Sequence, residues 1–257
     1  MLIAQITDLH VTEPGTLAAG RIDTGAALAA TVAHLNRLRP RPDLVVITGD
    51  LANGPRPAEY EALARLLAPL EPPWCAIPGN HDDRDALRAL CAGQPWLPLP
   101  GPFFHYAIDH LPVRLIALDT LVPGETPGLL CDRRSDWLAD RLAEAPGRPT
   151  LLLMHHPPHE VGIGFMDALR CFGTERLARL VEEHPAVERI LCGHVHRPTL
   201  VRWHGTAVST APSAAFQFAL ALEPGSTPTV SDEPPALALH LWRAGQGLVS
   251  HLQAVGA

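Results

Sequence analysis

Side chains of the kinds that bind metal ions follow five short apolar runs of this 257-residue chain. The five segments, ITDLH, TGD, PGNHD, MHH and CGHVH, carry Asp8, His10, Asp50, Asn80, His81, His155, His156, His194 and His196. Each run predicts a buried strand, and loops at strand ends of a layered α/β fold converge on one crevice where ligands bind. We therefore expect these side chains to meet at one site.

The spacing within two of the segments strengthens this expectation. Asp8 and His10 are two residues apart, as are His194 and His196. In an extended backbone, residues two apart point to the same side, so both members of each pair could reach one ion. Taken singly, each segment is also compatible with an ordinary turn. Their joint occurrence, each after an apolar run, favours a metal site over a purely structural explanation.

The chemistry of the donors narrows the metal. Histidine and carboxylate ligands with one Asn amide, and no thiolate, suit Zn, Mn, Fe or Co better than Ca. The seven candidate ligands are Asp8, His10, Asp50, Asn80, His155, His194 and His196. A structural zinc normally takes four ligands, so seven predict two divalent ions that share one carboxylate. Such a pair clamps a phosphoryl group and supplies a hydroxide nucleophile.

The order of apolar runs predicts a mixed α/β sandwich, in which two sheets face each other and helices lie outside. We expect strands at 2–6, 44–48, 74–77, 150–154 and 187–192, hairpins at 103–118, 199–210 and 236–255, and helices at 24–39, 57–70, 132–145 and 174–183. We divide the chain into a catalytic core at 1–210, a Pro-rich segment at 211–235 and a C-terminal hairpin at 236–257 that returns to the core. The Pro-rich segment is expected to be a cap, a dimerisation arm or a surface loop.

Composition and charge exclude several classes of protein. A net charge of −7, without a stripe rich in Lys or Arg, disfavours a nucleic-acid partner and a DNA nuclease. Five scattered Cys residues without CxxC spacing predict reduced thiols rather than disulfides. No signal peptide is recognisable, and no apolar run approaches the roughly 18 residues of a membrane span. We therefore expect a cytoplasmic protein that does not enter a membrane.

The blocks DLH, GD, GNHD, HHPP and GHVH resemble, in identity and order, those of the calcineurin-like metallophosphoesterases. Their compact spacing is similar to that of bacterial class III cyclic-nucleotide phosphodiesterases and metal-dependent glycerophosphodiesterases. The resemblance implies a four-layer α/β/β/α sandwich and a homodimer or higher homo-oligomer. It also implies that a small phosphodiester, such as a cyclic nucleotide or a glycerophosphodiester, is hydrolysed by attack of metal-bound hydroxide.

The resemblance further implies a role for each residue of the site. One ion would take Asp8, His10 and His196, the other Asn80, His155 and His194, with Asp50 as the bridge. His81 would be a catalytic residue outside the ligand set, which binds a phosphate oxygen or protonates the leaving alkoxide. His156 would point elsewhere. Asp82 would either orient His81 or lie exposed in a turn, and Arg197 would contact substrate or lie on the surface.

Three other functions remain open. A phosphomonoesterase or a nucleotide pyrophosphatase could have the same fold. The alternative that is not an enzyme is a metal-free binding scaffold. Protein serine/threonine phosphatases usually continue the second block as GDxVDRG, whereas this chain reads GDLANG from Gly49 to Gly54. The missing Arg disfavours a phosphoprotein phosphatase.

Overall fold

A computed structural model describes residues 1–98 and 100–256. The strands are β1 (Leu2–Ile6), β2 (Leu44–Thr48), β3 (Trp74–Ile77), β4 (Tyr106–Ile108), β5 (Arg114–Ala117), β6 (Gly128–Leu129), β7 (Thr150–Leu153), β8 (Cys171–Phe172), β9 (Val187–Cys192), β10 (Thr199–Trp203), β11 (Thr206–Thr210), β12 (Ala236–Arg243) and β13 (Gly247–Ala254). The helices are α1 (Thr24–Arg37), α2 (Pro57–Leu67), α3 (Arg84–Leu90), α4 (Asp132–Ala143), α5 (Gly164–Asp167) and α6 (Glu175–Glu183).

These strands build two large mixed sheets. The first has the order β13-β12-β1-β2-β3, in which β1, β2 and β3 are parallel and β12 runs antiparallel to β1. The second has the order β10-β11-β9-β7-β5-β4, with parallel strands in the middle and antiparallel strands at both edges. Strands β6 and β8 form a separate two-stranded sheet.

Alternate residues of β7 pack into two different hydrophobic clusters, as expected of a strand buried on both faces. Leu153 belongs to the cluster that contains Ile3 of β1, whereas Leu152 packs in the cluster that contains Leu138 of α4 and Leu177 of α6. Helices α1 to α3 contribute their apolar faces to the first cluster. The predicted sandwich of two facing sheets between layers of helices is therefore confirmed.

The predicted strands are all present, but several element ends differ. The helices expected at 24–39, 57–70 and 132–145 end at Arg37, Leu67 and Ala143. Just beyond these ends, the backbone amides of Leu38, Leu70 and Ala145 each donate to the carbonyl three residues earlier, so the chain forms a tight turn instead of another turn of α-helix. The strand expected from Phe103 begins at Tyr106, because the Phe104 amide donates to the Asp119 carboxylate instead of a ladder.

Four short elements were not predicted, namely α3, α5, β6 and β8. For α3 a signal exists in the sequence, since the carboxylate of Asp83 caps the helix by accepting from the amides of Asp85 and Ala86. Helix α5 has only four residues and no side-chain cap, so periodicity cannot reveal it. Both helices border the site.

The Pro-rich segment 211–235 forms no helix or named strand within the described residues. Its beginning is nevertheless buried, and the amide of Ala214 donates to the carbonyl of Thr7 just after β1. Further along, a single bridge between Phe218 and Val230 closes a loop. The segment thus starts within the core and then leaves it.

All five cysteines are free thiols, and four of them are buried. Burial raises the pKa of Cys75 to about 12, so this thiol stays protonated. Within residues 1–98 and 100–256, no helix has the length and apolar character needed to cross a membrane.

Candidate metal centre

The candidate ligands lie in loops that leave the ends of β1, β2, β3, β7 and β9. Hydrogen bonds between the two sheets hold these ends together. Gln5 of β1 donates through Nε2 to the carbonyl of Cys192 of β9 at 2.9 Å. His155 donates through Nδ1 to the carbonyl of Thr48 of β2 at 2.7 Å. The structure therefore brings the metal-type side chains of both sheets to one place, as the sequence predicted.

The backbone at the ligand pairs is not extended, so this part of the sequence-based reasoning is wrong. The left-handed region, with positive φ, is uncommon for residues other than Gly but is favoured by Asp, Asn and His. Five of the seven candidate ligands lie there, with φ of 53° at Asp8, 45° at His10, 52° at Asp50, 69° at His194 and 53° at His196. Strain of this kind concentrates at functional sites, where the surrounding fold imposes it.

Glycines in two of the motifs allow backbones to approach the site closely. A Cβ added to Gly79 would overlap the backbone nitrogen and Oδ1 of Asp50, and one added to Gly193 would overlap Oγ1 of Thr7. The latter Cβ would also lie 2.8 Å from the carbonyl oxygen of Thr48. The Gly of PGNHD and that of CGHVH are thus required by space next to the candidate ligands.

One group of converging donors consists of Asp8, His10 and His196. The Nε2 atoms of His10 and His196 lie 3.0 Å apart, and Oδ1 of Asp8 is 3.4 Å from Nε2 of His196. His196 donates through Nδ1 to the carbonyl of Phe216 at 2.8 Å, which leaves a lone pair on its Nε2. Such outer hydrogen bonds fix the tautomer of metal-binding histidines.

A second group consists of Asn80, His155 and His194. Because Nδ1 of His155 donates to Thr48, Nε2 is the ring nitrogen left for an ion, and this buried atom has no hydrogen-bond partner. Nδ1 of His194 lies 3.1 Å from Oδ1 of Asn80, and Nε2 of His194 is also buried without a partner. Buried polar atoms without partners are costly and call for an explanation such as an ion.

Asp50 lies between the two groups. Its Oδ2 is 3.3 Å from Nε2 of His155 and 3.6 Å from Nε2 of His10. Its Oδ1 is fixed by the backbone amide of His81, which donates at 2.9 Å. One oxygen is thus anchored and the other faces both groups, which is the position that a bridging carboxylate requires.

Burial and neighbouring charges shift the pKa values of the candidate ligands strongly. Burial alone would raise the pKa of Asp50, but the imidazoles of His155 and His10 hold it well below its usual range. Burial would lower the pKa of His155, yet the Asp50 carboxylate raises it to about 9. For His194, burial together with the neighbouring His155 lowers the pKa to about 3. Imidazoles around a buried carboxylate suit divalent cations, which would displace the proton that His155 otherwise holds beside Asp50.

Comparison with known proteins decides the family. The family model of calcineurin-like phosphoesterases matches residues 1–198. This chain belongs to the calcineurin-like phosphoesterases. The expected metallophosphoesterase is therefore confirmed, and the family implies divalent metal ions at the centre.

The relatives of this phosphoesterase include two kinds of phosphodiesterase. It is 37% identical to the glycerophosphodiester phosphodiesterase GpdQ of Enterobacter lignolyticus, over 98% of this chain and 90% of the relative. It is 35% identical to a probable glycerophosphodiester phosphodiesterase of Arcobacter nitrofigilis, over 100% and 94%. It is 31% identical to the 3',5'-cyclic adenosine monophosphate phosphodiesterase CpdA of Escherichia coli K12, over 84% and 77%. A dimetal phosphatase from Danio rerio shares the fold, with a TM-score of 0.72, 14% identity and coverage of 100% and 99%.

His156 lies beside the phosphoesterase's second group, but its ring nitrogens are both engaged. Nδ1 accepts from the hydroxyl of Thr120 at 2.8 Å, and Nε2 donates to the carbonyl of Thr126 at 2.9 Å. Although the nitrogens of His155, His156 and His194 lie close together, His156 has no lone pair to offer an ion. The ring does not point elsewhere, as was expected, since its centroid lies 4.5 Å from that of His194, but its contacts are those of a structural residue.

Neither alternative proposed for Asp82 is correct. The side chain is buried, and it accepts from the amides of Leu51, Ala52 and Gly79 and from the hydroxyl of Tyr60. Burial and the nearby Asp50 raise the pKa of Asp82 to about 6. This carboxylate joins the loop after β2 to the loop after β3, so it positions the two loops that carry Asp50 and Asn80.

Arg197 also differs from both expectations. Its Nη1 donates to the carbonyl of Phe218 at 2.6 Å and to Glu233 at 2.8 Å, and the side chain is mostly buried. Arg21 makes a similar contact with the carbonyl of Val230 at 2.8 Å. The two arginines fasten the Pro-rich segment to the core.

His81 lies at the edge of the centre, where it borders the open space beside the ligands. Its Nδ1 donates to the carbonyl of Asn53 at 2.8 Å, so Nε2 is the ring nitrogen left for a ligand. Sequence reasoning did not recognise Asn53, although GDLANG offered the signal of a polar residue three positions after Asp50. It also missed Ser213, whose hydroxyl donates to the carbonyl of Asp8 at 2.8 Å.

Proposed function

We propose that this phosphoesterase binds two divalent ions, drawn from Fe, Mn, Zn and Co, and hydrolyses small phosphodiesters. The position of Asp50 carries the proposal, because its free oxygen faces His155 of one group and His10 of the other. The ligand sets would be Asp8, His10 and His196 for one ion and Asn80, His155 and His194 for the other, with Asp50 shared. The phosphodiesterase names of relatives in two substrate classes support the reaction type.

Two bound divalent ions would lower the pKa of a water molecule and neutralise charge on the phosphoryl group. The protein supplies the geometry. Carbonyls of Thr48 and Phe216 fix the tautomers of His155 and His196, and the His81 amide fixes Asp50. In the reaction, a water molecule gives up a proton and its oxygen forms a bond to phosphorus, while the bond from phosphorus to the leaving oxygen breaks and that leaving oxygen takes a proton. Preorganised polar groups reduce the barrier because they need not rearrange.

His81 is the residue proposed to give that proton. Support comes from its tautomer, which Asn53 sets, and from its place in the lining of the cavity beside the candidate ligands. We expect His81→Ala to lower kcat on alkyl diesters by roughly 10²- to 10⁴-fold, the usual contribution of a general acid. Nitrophenyl esters need little protonation, so their loss should be far smaller. Equal losses on both substrate types would instead indicate phosphate binding.

The metal and the reaction are tested together by reconstitution and a substrate panel. Metal analysis of the loaded protein should give about two ions per chain, fewer in Asp50→Asn, and the parental number in Asp132→Asn, which changes an exposed carboxylate that is not among the candidate ligands. Bis-nitrophenyl phosphate should be hydrolysed faster than nitrophenyl phosphate. A clear preference for the monoester would favour a phosphomonoesterase, and fewer than about one ion in the parent would favour a binding scaffold.

The segment 211–235 is proposed to cap the centre within a cytoplasmic homodimer or higher homo-oligomer. Support comes from the rings of Phe216 and Phe218 against His196, 4.6 and 4.7 Å between centroids, and from exposed Leu220 and Leu222 on the same segment. Since its first residues are buried, the deletion that tests the assembly should replace only 219–229. Light scattering should then show a lower mass, and an unchanged oligomer would reject a role in assembly.

A further inference from the structure

Two cavities meet at the metal centre, and they differ in character. One, of about 260 Å³, is bordered by candidate ligands on one side and on the other by an aromatic compartment, which we define as Phe165, Met166, Leu169, Phe216 and Phe218. The other, of about 590 Å³, adjoins a polar compartment, which we define as Asp83, Arg84, Asp85, Gly101 and Pro102. Asn53, Asn80 and His81 border both cavities. A phosphate held at the centre therefore has one compartment for each of its two substituents.

The aromatic compartment offers ring faces and edges at short range. Phe218 meets Phe165 edge-on at 6.0 Å between centroids and Phe216 edge-on at 5.7 Å. This geometry suits aromatic contacts. The cavity is smaller than the roughly 300–1,000 Å³ that drug-sized ligands occupy. It therefore accommodates a compact apolar or aryl group.

The polar compartment provides no free cation. Its arginine, Arg84, binds the carboxylate of Asp119 through Nε at 2.5 Å and the carbonyl of Leu121 at 2.6 Å. The chain contains no lysine, and no other arginine lines either cavity in the described part of the chain. Asp83 and Asp85 face solvent there. A second anionic group on the substrate would thus meet carboxylates without a counter-charge.

We infer that the site selects unsymmetrical phosphodiesters, with a compact apolar or aryl group in the aromatic compartment and a larger uncharged or cationic polar group in the polar compartment. The inference rests on the proposed phosphodiesterase function and adds its substrate class. In the aromatic compartment, binding is favoured because the apolar surface of the substrate is removed from water. In the polar compartment, charge complementarity decides between cationic and anionic groups.

The aromatic compartment is tested by binding, using methyl phenyl phosphate and dimethyl phosphate with the metal-reconstituted protein in a calorimeter. The parent should prefer the phenyl ester. In Phe165→Ala that preference, as a ratio of Kd values, should fall roughly three- to tenfold, and Phe165→Leu should retain part of it. Phe172→Ala is the matched control, because Phe172 is 39% exposed and lies outside both compartments.

The polar compartment is tested with a phenyl phosphodiester that carries either a choline or a carboxyethyl group. At low ionic strength the parent should bind the choline ester about fivefold more tightly. Asp85→Arg should abolish or reverse this preference. Asp132→Arg, at the equivalent first turn of α4 and outside both compartments, should leave it unchanged.

Turnover of bis-nitrophenyl phosphate, measured on the same preparations, separates the inference from the function on which it rests. A phenyl preference that Phe165→Ala does not change overturns the inference even if turnover is high. A carboxyethyl ester that binds as well as the choline ester overturns it too. The predicted ratios without turnover would uphold the compartments and reject the phosphodiesterase.

Discussion

Gly79→Ala isolates the role of space around the proposed bridging carboxylate. The new Cβ would lie 2.8 Å from the carboxyl carbon of Asp50 and closer still to its Oδ1 and backbone nitrogen. Ordinary van der Waals contact begins at 3.4 Å, so Oδ1 of Asp50, the atom nearest the new Cβ, must move by about an ångström or more. Gly79 does not have a positive φ, so the backbone itself tolerates Ala and the effect is purely steric.

The expected cost follows from two opposing effects. Overpacking in a filled interior costs about 1–3 kcal/mol, whereas Gly→Ala restricts the unfolded chain and returns about 0.4–1 kcal/mol. A net loss of about 1–2 kcal/mol should lower the Tm of the metal-free protein by roughly 2–6 °C. Activity should fall more steeply, because misplacement of a reactive group by about 1 Å can cost a hundredfold.

Thermal unfolding, metal analysis and turnover of bis-nitrophenyl phosphate measure these effects. Gly147→Ala is the matched control, since a Cβ there meets nothing within 4 Å and its φ is not positive. This variant should keep its metal and have an unchanged or slightly higher Tm. If Gly79→Ala kept the parental Tm, metal content and turnover, the close packing of Gly79 against Asp50 would not position the bridge, and the reasoning would be refuted.

Two further predictions concern metal and proton linkage. Chelation should lower the Tm and reconstitution should restore it, because an ion at one hundred times its Kd stabilises a fold by about 2.7 kcal/mol; an equal Tm with and without metal contradicts a metal centre. Burial lowers the pKa of His240 to about 3, below the 6.5 of an exposed His. Between pH 3 and pH 6.5, His240 is therefore protonated in the unfolded chain but not in the folded one. Its contribution to the free energy of unfolding is complete above pH 6.5 and is lost as the pH falls toward 3, by up to about 1.4 kcal/mol per pH unit. Urea unfolding should show a shallower acid dependence in His240→Gln than in the parent, and identical slopes would exclude His240 as the cause.

The ligand positions could be predicted because they follow a simple local rule. Each metal-type residue comes directly after an apolar run, and parallel strands bring such ends to a common edge. Asp50 was predicted as a ligand in the same way, whereas its role as the bridge came only from the family resemblance. Its exact relation to His10 and His155 could not be predicted, because that depends on contacts between two sheets.

Other features of the site depend on tertiary context that no local pattern encodes. Asp82 has the sequence of a turn carboxylate, yet four donors from three segments surround it in the fold. Arg197 follows a ligand block, yet its partners lie in the Pro-rich segment. The left-handed conformation at Asp8 and His10 accompanies hydrogen bonds from their amides to the carbonyls of Gly49 and Asp50 in the neighbouring loop, which the local sequence does not reveal.

The place of β1 in the first sheet has a consequence for biosynthesis. β1 pairs with β2 on one side and with β12 on the other, where Leu2 lies opposite Leu241. A chain that emerges from the ribosome thus exposes one edge of β1 until residues more than 230 positions later have been made. Open strand edges invite pairing with other chains, and such incomplete species aggregate readily. The C-terminal hairpin therefore covers the edge of a strand that is synthesised early. Stalled or truncated chains that lack this hairpin should depend on chaperones to avoid aggregation.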